Sequence, residues 1–243
     1  MKKVVKKDDG WKDFNDFIKV ANKNCNWLVL RNFEYLPNDF FENDKDVDIL
    51  CDNIELFVKV MKLRKRSWGI GAYETMIDNK IVPLDVRFLG DGYYDKLWQY
   101  KMLMNKIYTI DNVPRMNDKD YFYSLLYHSK IQKMEVKEVY KKRFYELSIL
   151  LNIRNYKIES IENDKYIAEL LSKFMKENAY TFTNPVDDNV PKNKLFFNLL
   201  DKGIQNEIRF DVPIQIKISR LIPNFILQII PKKIKIIIKR ILK

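Results

Sequence analysis

The sequence predicts an α+β fold: a small mixed sheet with flanking helices, then a helical unit, then a basic amphipathic C-terminal helix. Three observations predict it. Up to about residue 95, short apolar runs and a hairpin pattern alternate with amphipathic stretches. From there to about residue 205, helical spacing dominates. Beyond that the chain turns basic and Ile-rich, with no acidic residue from Val212 to Lys243. The expected units are therefore 1–95, 96–205 and 206–243.

Each element has its own signal. Trp11, Phe14, Phe17, Ile18 and Ala21 recur at helical spacing, with Asp8 or Asp9 as the expected cap. Trp27 to Leu30 is a short apolar run and reads as a buried strand, and Pro37 to Asp44 is polar and turn-rich. Asp46 to Cys51 reads as a second strand. Asn53 is placed to cap a helix whose apolar face is Ile54, Phe57, Val58 and Met61. Ile70–Ile77 and Ile81–Phe88 flank Asp78, Asn79 and Lys80, a hairpin signature.

After Gly92 the periodicity is helical. Leu97, Tyr100, Met104 and Ile107 mark one helix, and Phe122, Leu125, Leu126 and Ser129 a second, capped by Asn117 or Asp118. A third runs from Val136 to Leu151 and a fourth over 164–177. Residues 183–191 contain two prolines and read as a loop.

Composition excludes several chemistries. The 243 residues carry a net charge of +11, with one His, two Cys and six Gly. A single His excludes HExxH proteases and multi-His metal centres, and Cys25 and Cys51 cannot build a disulfide scaffold. There is no GxGxxG and no Walker A loop. No apolar h-region follows the basic N-terminus. The longest apolar stretch, Leu221–Ile230, is broken by Pro223, Asn224 and Gln228 and falls far short of the roughly 20 residues that span a bilayer. A cytosolic location is expected, with peripheral attachment to the inner face of a membrane.

The tail supplies that attachment. Ile234, Ile237, Ile238 and Ile241 follow helical spacing, while Lys235, Lys239 and Lys243 line another face. Residues 212–243 carry eight basic side chains, so most of the net charge is theirs and an anionic membrane surface is their expected partner. The alternative is a terminal helix that packs its Ile face on the body. Nucleic acid is not an expected partner, because the basic residues lack interleaved aromatics and a recognised motif.

The chemistry sits in carboxylates. Side chains alternate on a strand, so Asp46 and Asp48 share one face while Val47, Ile49 and Cys51 take the other. Two adjacent carboxylates repel unless a cation lies between them, and Mg²⁺ is the natural candidate. Asp85, between apolar neighbours on the later strand, is a third carboxylate in need of a partner, and Arg87 shares its face.

Asp-x-Asp followed by a lone Asp on a later strand resembles the polymerase-β nucleotidyltransferase superfamily. The resemblance covers roughly residues 25–90. It implies that Asp46 and Asp48 bridge two Mg²⁺ ions and that Asp85 ligates the catalytic ion and acts as, or positions, the base. The superfamily usually carries Gly-Ser or Gly-Gly after the first strand. Here that place reads Leu30-Arg31-Asn32-Phe33-Glu34, with Arg31 as a fork donor to phosphate. The stretches LVLRNFEYLP, KDVDIL, LDVRFLGDGYYD and YFYSLLYHSK are also similar to a divergent group of nucleotidyltransferase-like proteins from surface-polysaccharide gene neighbourhoods. That similarity implies a nucleoside triphosphate or nucleotide sugar as donor and a sugar or glycan as acceptor.

In such a two-domain enzyme the helical unit offers basic groups to the nucleotide, a role that falls here to Lys130, with His128 as a hydrogen-bond partner of substrate. The structural alternative is that His128 is a packed residue at a helix end. Glu34 is the expected partner of Arg31, and Asp91 belongs to a turn that could line the site. The expected function is Mg²⁺-dependent nucleotidyl or phosphoryl transfer to a sugar, glycan or other small hydroxyl acceptor. The alternatives are a metal-dependent glycosyltransferase and a non-catalytic membrane-surface module.

Overall fold

The computed structural model describes residues 10–43, 46–66, 70–133, 136–206 and 208–210. The basic tail and the Asp8 or Asp9 cap lie outside the described residues. The chain enters through α1 (Phe14–Asn24), capped by Asp13, whose carboxylate accepts from Asp16 N. Phe14, Phe17, Ile18 and Ala21 bury the expected face. Strand β1 (Trp27–Val29) follows, then the short α2 (Phe40–Asn43), β2 (Val47–Cys51) and α3 (Ile54–Val60). Asn53 caps α3 by accepting from Leu56 N, as its sequence position predicts.

β3 (Arg64–Lys65), β4 (Ala72–Ile77) and β5 (Lys80–Phe88) complete the first stretch. The β4–β5 turn is Asp78-Asn79, both at positive φ, as a two-residue hairpin with right-handed strand twist requires. Lys80 already pairs with Ile77, so it belongs to β5 rather than to the turn.

The sheet does not end at residue 95. After α4 (Lys96–Met104), the two-residue strands β6 (Ile107–Tyr108) and β7 (Pro114–Arg115) join its edge. Among the described residues the sheet has seven strands in the order β3-β4-β5-β2-β1-β7-β6. It is mixed: β2 runs parallel to β5 and antiparallel to β1, while β1 runs parallel to β7. The pattern of sequence alternation therefore recovers the mixed sheet, and the expected boundary at 95 cuts across it.

The remainder is helical: α5 (Asp118–Tyr127), α6 (Glu138–Leu150), α7 (Asp164–Glu177) and the single turn α8 (Lys194–Phe197). Asn117 caps α5 through Asp120 N. Buried apolar side chains of both stretches form one continuous cluster, from Trp27 and Phe57 to Phe122 and Leu171. Trp98 centres the helical side. It stacks on Tyr180 with centroids 5.3 Å apart, meets Phe174 edge-on, and donates its indole N–H to Asp120 Oδ1 at 2.9 Å. No helix among the described residues is long and apolar enough to cross a membrane.

The turn after β5 anchors the loop at 183–191. Buried Asp91 accepts from the Phe88 and Tyr93 amides and from Gln99 Nε2 at 2.6 Å. The Asp91 carbonyl accepts from Val186 N at 2.7 Å. Gly92 sits at φ +72°, and a Cβ there would stand 2.5 Å from the Asn184 carbonyl oxygen. Only glycine permits both the backbone and the approach. Gly92→Ala is expected to lower stability by about 1–3 kcal/mol in urea unfolding, through φ strain and displacement of this loop. A substitution within experimental error of wild type would show that the loop is not pinned here.

Candidate functional site

A cavity of about 630 Å³ opens between the Asp-bearing face of β2 and β5, the segment that follows α5, and the 183–191 loop. That volume suits a ligand of nucleotide or sugar-phosphate size. Asp46, Asp48 and Asp85 all line it, with Arg31, Arg87 and His128. Six of the seven site residues expected from the sequence thus come together.

Strand pairing brings the carboxylates close. Asp48 and Asp85 are direct register partners on the parallel strands β2 and β5. Neighbouring strands lie about 4.8 Å apart, so two carboxylates on one face at one register must be compensated. The compensation is arginine. Arg31 donates from Nε to Asp48 Oδ2 at 3.0 Å and from Nη2 to Oδ1 at 2.6 Å, a two-toothed pair. Arg87 donates from Nη2 to Asp85 Oδ2 at 2.8 Å and from Nη1 to Asp187 Oδ2 at 3.2 Å.

Both guanidiniums are buried, and both lie over the ring of Tyr93, at 5.9 Å for Arg31 and 4.3 Å for Arg87. Burial pushes the Asp85 carboxyl up from the ordinary range; Arg87 pulls it down and Asp48 raises it further.

This arrangement bears directly on magnesium. Both oxygens of Asp48 are engaged by Arg31, and one oxygen of Asp85 by Arg87. The described residues contain no group of three His, Cys, Asp or Glu side chains able to hold a metal ion. Arg31 and Arg87 are the cations that contact Asp48 and Asp85. As placed, the three aspartates do not fit a pair of Mg²⁺ ions.

The helical side contributes a different set from the one expected. Helix α5 runs into a π-helical turn, His128–Gln132. His128 is buried, and its Nδ1 lies 3.1 Å from the Tyr93 hydroxyl and 3.2 Å from Gln132 Oε1. Gln132 donates from Nε2 to the Tyr93 carbonyl, so its Oε1 faces the imidazole and requires a proton on Nδ1. The ring is neutral: burial, with Arg31 nearby, holds it well below its usual range.

Lys130 does not line the cavity and pairs with Asp164 at 2.7 Å. Lys133 and Lys137 line it instead. Glu34 pairs with Arg143 at 3.2 Å rather than with Arg31. Asp91 serves the turn. Ser129, Tyr140, Asp187 and Asn189 also line the cavity and were not foreseen. Two of them had a readable signal, since Asp187 and Asn189 sit in the two-proline loop.

Asn32 adopts φ +56° and lines the cavity. Asparagine is among the few side chains that enter the left-handed region readily.

Compared with known proteins, the chain matches no family model, no curated protein and no solved structure.

Neutral, buried His128 makes stability depend on pH. In the unfolded chain it takes up a proton near pH 6.5, whereas in the fold it does so only well below that. The unfolded state then binds more protons, so stability falls as pH drops below about 6.5. Asp85, Asp91 and Asp120, all raised by burial, act in the opposite sense nearer the carboxylate range. The thermal midpoint is expected to fall between about pH 7 and 5.5, and His128→Gln to flatten that slope. An unchanged slope in the variant would assign the dependence elsewhere.

Proposed function

We propose that this chain is a nucleotidyltransferase-like transferase that passes a nucleotidyl or phosphoryl group to a sugar, glycan or other small hydroxyl acceptor. One observation carries the reading: Asp48 and Asp85 stand in register on adjacent parallel strands and open, with Asp46, into one polar cavity. Arg31 and Asn32, which follow the first strand where the superfamily this chain resembles usually carries Gly-Ser or Gly-Gly, line the same cavity and support the reading.

The chain's own groups suffice to state a reaction. The acceptor oxygen forms a bond to phosphorus as the P–O bond to the leaving group breaks. The hydroxyl proton passes to Asp85, whose burial raises its affinity for protons. The charge on the departing phosphate falls to Lys133 and Lys137, which line the same cavity.

The donor is a nucleoside triphosphate or nucleotide sugar, and the context suggested by sequence similarity is surface-polysaccharide synthesis. Residues 212–243 belong to the same proposal as a lipid-surface anchor, on the strength of their sequence alone.

The full engagement of Asp48 by Arg31 favours a second reading, a non-catalytic receptor for the same ligands. Turnover separates the two. Full-length protein is screened against nucleoside triphosphates and nucleotide sugars by thermal shift, and those that bind are followed for transfer to sugar acceptors. Asp85→Asn is expected to lower kcat about 100-fold or more. Donor binding without transfer to any acceptor would leave the receptor reading. Co-sedimentation with phosphatidylglycerol vesicles tests the tail, and a Lys235→Gln, Lys239→Gln, Lys243→Gln triple variant that sediments like wild type would sink that part.

A further inference from the structure

Three buried polar atoms at the cavity have no hydrogen-bond partner among the described residues: Nη1 of Arg31, Nε of Arg87 and Oγ of Ser129. The two arginine side chains are 5% and 8% exposed. Leaving such a group unpaired costs about 1–3 kcal/mol, and more when it is charged. Native structures rarely carry this cost without a reason. The other buried atoms of this kind, on Thr75, Tyr127 and Tyr156, belong to residues that do not line the cavity.

The chemistry of the three atoms selects the ligand. Guanidinium N–H groups only donate, and a serine hydroxyl is free to donate. Their common partner is a group rich in acceptor oxygens. Arg31 is held by Asp48, and Arg87 by Asp85 and Asp187, so both guanidiniums are fixed before any ligand arrives. Lys133 and Lys137 add positive charge to the same cavity.

We infer that the cavity takes a phosphate group of its ligand directly on Arg31, Arg87 and Ser129, with no divalent ion between the carboxylates and the ligand. Asp48 and Asp85 are the counter-charges that hold the two guanidiniums. This rests on the transferase reading for placing a phosphate compound here, and adds what grips it.

The test is calorimetric titration of the full-length chain with inorganic pyrophosphate, first in excess EDTA and then in excess Mg²⁺. Stoichiometric binding is expected in EDTA. Ser129→Ala is expected to weaken it about fivefold, the worth of one hydrogen bond. Arg31→Lys keeps the charge but loses the fork, and is expected to weaken it about tenfold or more. Circular dichroism checks that both variants fold, and Ser129→Ala carries the test if Arg31→Lys does not.

Asp48→Asn discriminates further. If Asp48 carried a metal ion, the change would abolish only a gain in affinity that Mg²⁺ brings; if Asp48 holds Arg31 in place, it weakens pyrophosphate binding equally in EDTA and in Mg²⁺. Binding that appears only with Mg²⁺, or that is unchanged in Ser129→Ala, overturns the inference and leaves the transferase reading standing. Absence of binding in both conditions overturns both.

Discussion

The site depends on one constraint: two carboxylates at the same register of adjacent parallel strands must be neutralised without leaving the sheet. Arg31 does this for Asp48 from the end of β1, and Arg87 for Asp85 from its own strand. Buried ion pairs of this sort add little net stability, because desolvation offsets the attraction. Losing one partner is another matter, since an unpaired buried charge costs about 3–5 kcal/mol. The four side chains therefore stand or fall together, and the elements that carry them inherit their relative positions. Leu30 N, which donates to the Asp48 carbonyl at 2.8 Å, keeps the chain paired up to Arg31 itself.

From that centre the contacts extend outward. Arg87 reaches Asp187, 100 residues further along, and ties the two-proline loop to the sheet. The same loop is held at its base by Asp91 and by the close approach of Gly92 to Asn184. Tyr93 lies under both guanidiniums with its ring and touches His128 with its hydroxyl. Gln132 closes the circuit by bonding the Tyr93 backbone and the imidazole. Sheet, loop and π-helical turn are thus locked by polar contacts around a cavity that apolar packing alone would have filled. Such interlocked networks restrict reorganisation when a ligand arrives.

What was legible in the sequence was local. Alternation along two strands placed Asp46, Asp48, Asp85 and Arg87 on common faces, because period two needs only a few residues to show. The caps Asn53 and Asn117 were readable for the same reason. Partners across the sheet were not. Arg31 invited pairing with Glu34, three residues away, yet its partner is Asp48 on the neighbouring strand. Lys130 was named by analogy with a two-domain enzyme, and in the fold it pairs with Asp164 beside the π-helical turn His128–Gln132. Lys133 and Lys137 line the cavity instead. β6 and β7, at two residues each, are too short to leave any periodic signal, and so the sheet extended beyond the expected boundary.

Charge balance limits the long-range electrostatic pull of the cavity. Its carboxylates, Asp46, Asp48, Asp85 and Asp187, equal in number its cations, Arg31, Arg87, Lys133 and Lys137, and His128 is neutral. A cavity of one sign would attract any ion of the other, over a range set by salt. A balanced one has little long-range pull, so selection falls on short-range geometry, where donors have fixed directions. The arginines meet that demand best, because a guanidinium held by carboxylates has a fixed orientation. The carboxylates Asp48 and Asp85, which suggested a metal site in the sequence, are paired in the fold with Arg31 and Arg87.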